Sequence, residues 1–534
     1  MAQSVRSVFG SRRENPAAIR PRPRSYNRSA LLVTCACLIA PMASLQAQEA
    51  SGSAAEPEAS SREIIVTARK REESALEVPV IETVLTADTI ERAAITSIDD
   101  IAKFAPGLQV GESVLSIGTQ VSLRGIGTSA FDPGVDQSVS LNIDGLSFSQ
   151  GLAFQSGTFD LAQIEVLKGP QALFFGKSSP GGVISIRTAD PRDDLEVIVR
   201  SGYEFEANEY RGELILSAPI TDTLGIRLAG MGYNGDGYFR NRAIGLAGTG
   251  AKRPDNRLGG GDGFQLRGTV KFEPSSAFDA RLKLNYVEDT NEYPGAVQLS
   301  SCPEGTAPSA GNPFPRPIDP NDDCKLDRSI YLVDLDPAAF PLVVRRGQQF
   351  NDKQQTFGTL EMNLSPVEDL TLSSVTGYYD LSSTTQFNTF QTGYAGPGLA
   401  HQSFYDRAEF TQEIRLNSDF AGPLNFTAGA FYQNADVSLL QPVFGNRTVL
   451  PASRTTLSKR VNNLDIESWS IFGQLRFRPV ETLELAVGGR YTDEKRGDEV
   501  FDFSPTPLSR LQCPRLPRIP SLLRSRSPTR RPMT

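Results

Sequence analysis

The chain is poor in the residues from which reactive centres are assembled. Its 534 residues include one histidine, His401, one tryptophan and five cysteines. With a single imidazole, neither a Ser/His/Asp set nor a Cys/His metal cluster can be put together, so no catalytic residue, metal site or resident cofactor is expected. No stretch reaches the roughly 18 consecutive apolar residues of a spanning helix, which excludes a helical membrane anchor. It does not exclude a closed β-barrel, whose strands need only about 9 to 11 residues of alternating character and leave the mean hydropathy unremarkable; here it is -0.27. Basic residues are also in deficit, 54 against 62 acidic, for a formal charge of -8. A nucleic-acid partner is therefore not expected.

The N-terminus has the order of an export signal. Arg6, Arg12, Arg13, Arg20, Arg22, Arg24 and Arg28 form a basic region, Ala30 to Ala40 an apolar one, and Leu45-Gln46-Ala47 a cleavage site, giving a signal peptide over residues 1–47. Its removal takes away seven Arg and one Glu and moves the formal charge from -8 to -14. Export suits the remaining cysteines. Cys302 and Cys324 flank a stretch rich in Pro, Asp and Asn, and they are read as a disulfide closing a loop, the alternative being two free thiols.

Residues 48–62 are rich in Ala, Ser and Glu and read as a linker. Residues 70–190 have the pattern of an α+β domain. Thr86 to Arg92 and Ser97 to Phe104 each show a capping residue followed by helical spacing, with Pro106-Gly107 stopping the second helix. Val121 to Arg124, Val139 to Ile143, Ile164 to Leu167 and Val183 to Ile186 read as strands between glycine-rich turns. From residue 191 the period changes to two. Phe264, Leu266, Val270 and Phe272 alternate with Gln265, Arg267, Thr269 and Lys271, and Leu282, Leu284 and Tyr286 with Arg281, Lys283 and Asn285. About eleven such strands fit between Leu195 and Phe501, the last of them Leu483 to Thr492, joined by tight turns in alternation with long loops such as 294–350. The tail, 503–534, holds seven Arg, seven Pro and no acidic residue. It carries no strand and reads as sequence in a shifted frame, the alternative being a basic C-terminus.

Four runs occur in a telling order: Leu123-Arg124-Gly125-Ile126-Gly127, Asn142-Ile143-Asp144-Gly145, Asp160 to Gln171, and Ile164 to Thr188, which reads IEVLKGPQALFFGKSSPGGVISIRT. Together they resemble the plug domain of TonB-dependent outer-membrane receptors, and Phe410 to Leu416 resembles one of the family's barrel strands. The resemblance implies an α+β plug at 70–190 followed by an antiparallel transmembrane β-barrel at 191–502. About half of a barrel of roughly 22 strands is encoded. It implies location in the cell outer membrane, against its lipid, and energy-coupled uptake of a scarce ligand, most often a ferric siderophore. A TonB-type protein of the inner membrane is the implied partner. The rival expectations are a passive porin, a secreted β-rich adhesin and a truncated receptor remnant without activity.

Glu63, Ile64, Ile65, Val66, Thr67 and Ala68 resemble the family's TonB box, an extended segment that can add as a strand to a partner's sheet edge; the alternative is the plug's first strand. The resemblance also implies a lock in which Arg124 and Lys168 pair with barrel carboxylates such as Glu413, although the family usually has Arg where Lys168 stands. The alternative is pairing within the plug. Gly125, Gly127, Gly169, Pro170, Gly176, Gly181 and Gly182 are read as plug turns. Inward Arg267, Lys271, Arg281 and Lys283 would either attract an anionic ligand or pair with plug carboxylates.

Overall fold

A computed structural model describes residues 64–503 apart from 68, 72, 76–77, 79–80, 113–117, 129–134, 156–157, 177, 246–247, 254–256, 295–297, 299–323, 390–398, 449–455 and 481. The expected signal peptide, linker and basic tail lie outside the described residues, as do Glu63, Ala68 and Cys302.

The first part is a small α+β unit. In chain order it comprises β1 (Ile65–Val66), β2 (Glu73–Ser74), β3 (Ile81–Thr86), α1 (Ala87–Arg92), α2 (Ile98–Phe104), β4 (Leu108–Glu112), β5 (Thr119–Leu123), β6 (Ile126–Gly127), β7 (Val139–Ile143), β8 (Leu146–Phe148), β9 (Leu161–Lys168), α3 (Ala172–Phe175) and β10 (Gly182–Thr188). The central sheet has the order β3-β9-β10-β7-β8, and only the β10–β7 pair is parallel. α2 starts where the sequence marks it. The Ser97 side chain accepts from the Asp100 N–H while the Asp100 carboxylate accepts from the Ser97 N–H, a reciprocal cap. Ile98 and Ile101 then point into the core.

The rest is a wall. β11 (Glu196–Glu204), β12 (Glu209–Thr221) and β13 (Leu224–Gly235) are followed by the short β14 (Phe239–Asn241), β15 (Ala251–Lys252) and β16 (Arg257–Leu258). β17 (Gly261–Ser275) and β18 (Phe278–Glu292) lead to the short β19 (Ser329–Ile330) and β20 (Asp334–Leu335). The long strands β21 (Phe350–Val367), β22 (Leu370–Asn388), β23 (Leu399–Ser418), β24 (Leu424–Gly445), β25 (Thr456–Val480) and β26 (Leu483–Phe503) complete it. Eleven of these pair with their sequence neighbours in one antiparallel sheet that runs from β11 to β26 and stays open, its two outermost strands paired on one side only. The strand count read from the alternation is met. The last strand is longer than expected, continuing from Asp493 to Phe503 because β25 is long enough to pair with it throughout.

Two-residue alternation decides the faces. Leu266, Leu284, Phe410, Ile414, Ile471 and Val487 stand exposed on the outside, the apolar band that an outer-membrane wall presents to lipid. Val287, Phe357, Tyr379, Tyr405 and Ile466 point inward and share one core with plug residues Ile143, Phe148 and Phe154. Phe148 meets Phe357 and Tyr379 edge-on, at ring centroid separations of 5.3 and 4.8 Å. The turns at 222–223, 276–277 and 368–369 line one rim, and the long connections from β13 to β17 and from β18 to β21 leave from the other.

Candidate functional site

The first described residues lie against the plug. Ile65 pairs with Ser74 and Val66 with Glu73. Val66 is buried with Val78, Leu167 and Val183, whereas Ile64 and Ile65 stay exposed. The Thr67 N–H and hydroxyl both donate to the Glu165 carboxylate at 3.0 Å. Residues 64–67 of the segment expected as a TonB box are thus seated on the plug, Ile65–Val66 as a short strand.

The residues that follow are tied to the wall by charge. Arg69 bonds Glu73 and, across 2.5 Å, Glu484 on β26. Lys70 lies 3.9 Å from Glu413 on β23, Arg71 3.7 Å from Asp419, and Arg476 on β25 3.9 Å from Glu73. Burial pushes the Lys70 ammonium below its usual range, with Glu413 opposing. Between this segment and the wall, β18 to β23, lies a polar cavity of about 520 Å³ whose lining includes Lys70, Arg71, Asp144, Lys283 and Arg415.

Deeper ties join plug carboxylates to wall cations. Arg227 holds Asp160 through Nε at 2.9 Å and Nη2 at 2.6 Å, and reaches Glu196 at 2.7 Å. Lys283 meets Asp144 at 3.1 Å, Asp190 at 2.9 Å and the Thr188 carbonyl at 2.9 Å. Arg267 donates to the Phe159 carbonyl at 2.8 Å and stands over its ring. Asp144 and Asp160 both sit at positive φ, 48° and 51°, a conformation Asp tolerates better than most residues. Burial alone would raise the Asp144 carboxyl, but Lys283, Arg267 and the Thr188 bonds outweigh it and hold it below the usual carboxylate range.

The expected lock of Arg124 and Lys168 with Glu413 is not what the structure brings together. Arg124 is exposed at the β5–β6 turn, its N–H donating to the Gly107 carbonyl at 2.8 Å. Lys168 lies near enough that the Arg124 charge adds to burial in lowering its ammonium. Neither makes an ion pair among the described residues. Glu413 is engaged by nearer cations, Arg415 two places along the same inward face and Lys70 of the plug. The deeper ties have the polarity opposite to that lock, with Asp144 and Asp160 on the plug and Lys283 and Arg227 on the wall, while the ties at Arg69, Lys70 and Arg71 keep cations on the plug and carboxylates on the wall. Pairing of the inward cations with plug carboxylates, one of the two expectations for them, is seen where Lys283 meets Asp144 and Arg281 lies 3.5 Å from Asp190; which carboxylates they meet is not evident from sequence. Lys271 pairs with Glu273 beside it.

Of the expected plug turns, Gly182 is the most constrained. Its φ is +148°, and a Cβ there would stand 2.3 Å from the Leu167 carbonyl oxygen and 2.5 Å from Leu123 Cδ2. Gly125, Gly169 and Gly176 also have positive φ, Gly181 and Gly127 are packed against Ser138 and Ser122, and Pro170 follows the bend at Gly169, before α3. Cys324 is disulfide-bonded. No cluster of three or more His, Cys, Asp or Glu fit for a metal occurs among the described residues.

Comparison with known proteins agrees with this architecture. Residues 74–183 match the family described as the TonB-dependent receptor plug domain, and residues 303–509 the family described as TonB dependent receptor-like, β-barrel. The two matches together take in more than half of the chain. Over 162 residues the chain is 32% identical to the pesticin receptor of Yersinia pestis, covering 30% of this chain and 24% of that protein. Over 192 residues it is 34% identical to the hemin receptor of Yersinia enterocolitica, covering 34% and 26%. The chain spans about a quarter of the length of the curated relatives it matches. The crystal structure of the ferric yersiniabactin uptake receptor from Yersinia pestis superposes with a TM-score of 0.61 at 18% identity, covering 79% of this chain and 60% of that one. At that identity the likeness bears on the fold alone.

Proposed function

The chain belongs to the TonB-dependent outer-membrane receptors, and from that premise we propose that it serves energy-coupled uptake of a scarce iron chelate, a ferric siderophore first, driven by a TonB-type protein of the inner membrane. The family is one of transport receptors rather than enzymes. The observation that carries the proposal is the way the plug is held: buried ion pairs at Asp144 and Asp160 and the collar at Arg69 to Arg71 fasten it to the wall. A plug fastened in this way does not drift aside, so passage needs work done on it, and residues 64–67 lie next to the collar where a partner strand could pull. That arrangement disfavours a passive pore and gives an adhesin no use for the plug.

Hemin is the second ligand class in view, since one relative is named a hemin receptor; another, from Escherichia coli and 28% identical over 242 residues, is named a catecholate siderophore receptor. Uptake of radioiron presented as siderophore or as hemin separates the two. Deleting residues 63–69 should abolish uptake and leave ligand binding intact. Unchanged uptake would sink the TonB-box assignment, and no uptake by the undeleted chain would favour the inactive remnant.

A further inference from the structure

The strand that a partner would have to join already has its free edge occupied. Just before β1 the Ile64 carbonyl accepts from the Ala75 N–H at 2.8 Å, and within it Val66 faces Glu73 of β2. Backbone groups of successive strand residues turn to opposite edges. Ile64 and Val66 therefore address β2, and Ile65 and Thr67 address the opposite edge. Two of those outer groups, the Ile65 carbonyl and the Thr67 N–H, are met by side chains of β9. Gln163 Nε2 donates to the Ile65 carbonyl at 2.9 Å, and the Thr67 N–H donates to Glu165 Oε1 at 3.0 Å and Oε2 at 3.2 Å. Gln163 Nε2 also reaches Glu165 Oε1 at 3.0 Å, which fixes the two side chains relative to one another.

The spacing is what makes the match. Gln163 and Glu165 lie two residues apart on β9 and so project from one face. Ile65 and Thr67 lie two residues apart on β1, and both intervals correspond to roughly 6.6 Å of extended chain. One side chain offers a donor to a carbonyl and the next an acceptor to an N–H, the alternation that a neighbouring strand would supply. We infer that Gln163 and Glu165 are a side-chain surrogate for a β-strand: they mask the free edge of residues 64–67, and a protein that binds this segment by strand addition must displace them first. The inference rests on the TonB-box reading and adds to it the residues that hold the segment in its unavailable state. Burial pushes the Glu165 carboxyl upward while the Thr67 bonds pull it down, so a carboxyl that loses Thr67 is left buried with fewer donors. The mask therefore favours reclosure.

The test uses the full chain in nanodiscs, with two readouts: amide hydrogen exchange of the peptide carrying residues 64–67, and binding of the purified periplasmic domain of a TonB-type protein. Protection of Ile184 and Ile186 on β10 checks that the plug remains folded. The pair Gln163→Ala with Glu165→Ala should speed exchange at Thr67 and tighten partner binding, each by roughly tenfold or more. Glu165→Gln, whose amide oxygen still accepts from Thr67, should stay within about threefold of the parent. Unchanged exchange in the double variant overturns the mask. Faster exchange with unaltered affinity, in a protein that does bind the partner, overturns its role in partner access. Faster exchange with no partner binding by any form overturns the coupling assignment beneath it.

Discussion

Replacing Arg227 by alanine should loosen the plug more than any other single change on the wall, and the size of the effect follows from what is left behind. The guanidinium makes a paired contact with both Asp160 oxygens, at 2.9 and 2.6 Å, and bonds Glu196 as well. The Arg227 and Asp160 side chains are 6% and 4% exposed. Truncation leaves a buried carboxylate without its cation, a loss of about 3 to 5 kcal/mol. Taken at about 4 kcal/mol, that is a factor of roughly 10³ in the equilibrium for plug opening. Native-state amide exchange at Ala162 and Ile164, just beyond Asp160, reads that equilibrium directly. Adding Asp160→Asn should recover much of the loss, since asparagine accepts the positive φ and carries no charge to strand. The reasoning is refuted if Arg227→Ala changes exchange by less than about threefold, or if the two substitutions simply add.

Two further outcomes are expected. Gly182→Ala should disorder the β9–β10 pairing at a cost upward of about 3 kcal/mol, because its Cβ would fall against the Leu167 carbonyl at a φ that L residues rarely adopt; Gly111→Ala, with open space around it, should leave trypsin resistance of the plug unchanged. Burial, with Glu165 and Glu73 nearby, pushes the Glu82 carboxyl up to about 7. A raised carboxyl favours the protonated folded form, so its contribution is fully present below the ordinary value near 4.5 and is lost as pH rises through about 7. Glu82→Gln should therefore stabilise the plug at pH 8, by on the order of 1 kcal/mol once solvent screening is allowed for, and do little near pH 4.5. Equal shifts in the urea midpoint at both pH values would contradict this.

Much of the fold could be read from the chain because its signals are local. Alternation at Phe264 to Phe272 marks which side chains face lipid, and Ser97 with Asp100 marks where α2 begins, each within a few residues. The length of β26 was not legible, because Asp493 to Phe503 is polar and becomes a strand only by pairing with β25. The plug's fastening was legible in its parts and not in its partners. Period two identifies Lys283 as inward, but its meeting with Asp144 spans 139 residues of chain, a distance over which sequence spacing carries no register. Arg124 and Lys168 were motif positions without an observed wall partner, whereas Asp144 and Asp160 had partners without having been singled out. The mask on β1 was hidden for another reason. Gln163 and Glu165 look like ordinary members of a strand, and only the placement of residues 64–67 gives their side chains something to hold.

The polarity of the ties at Asp144 and Asp160 has a consequence for the proposed uptake. Plug carboxylates and wall cations neutralise one another while the plug is seated. When the plug shifts, Asp144 and Asp160 travel with it, and Arg227, Arg267 and Lys283 stay fixed on β13, β17 and β18. The newly wetted wall is positive along that stretch, and a confined positive lining draws anions and repels small cations. On the proposed uptake reading, the contacts at Asp144 and Asp160 thus set the sign of the charge that this stretch of wall would present.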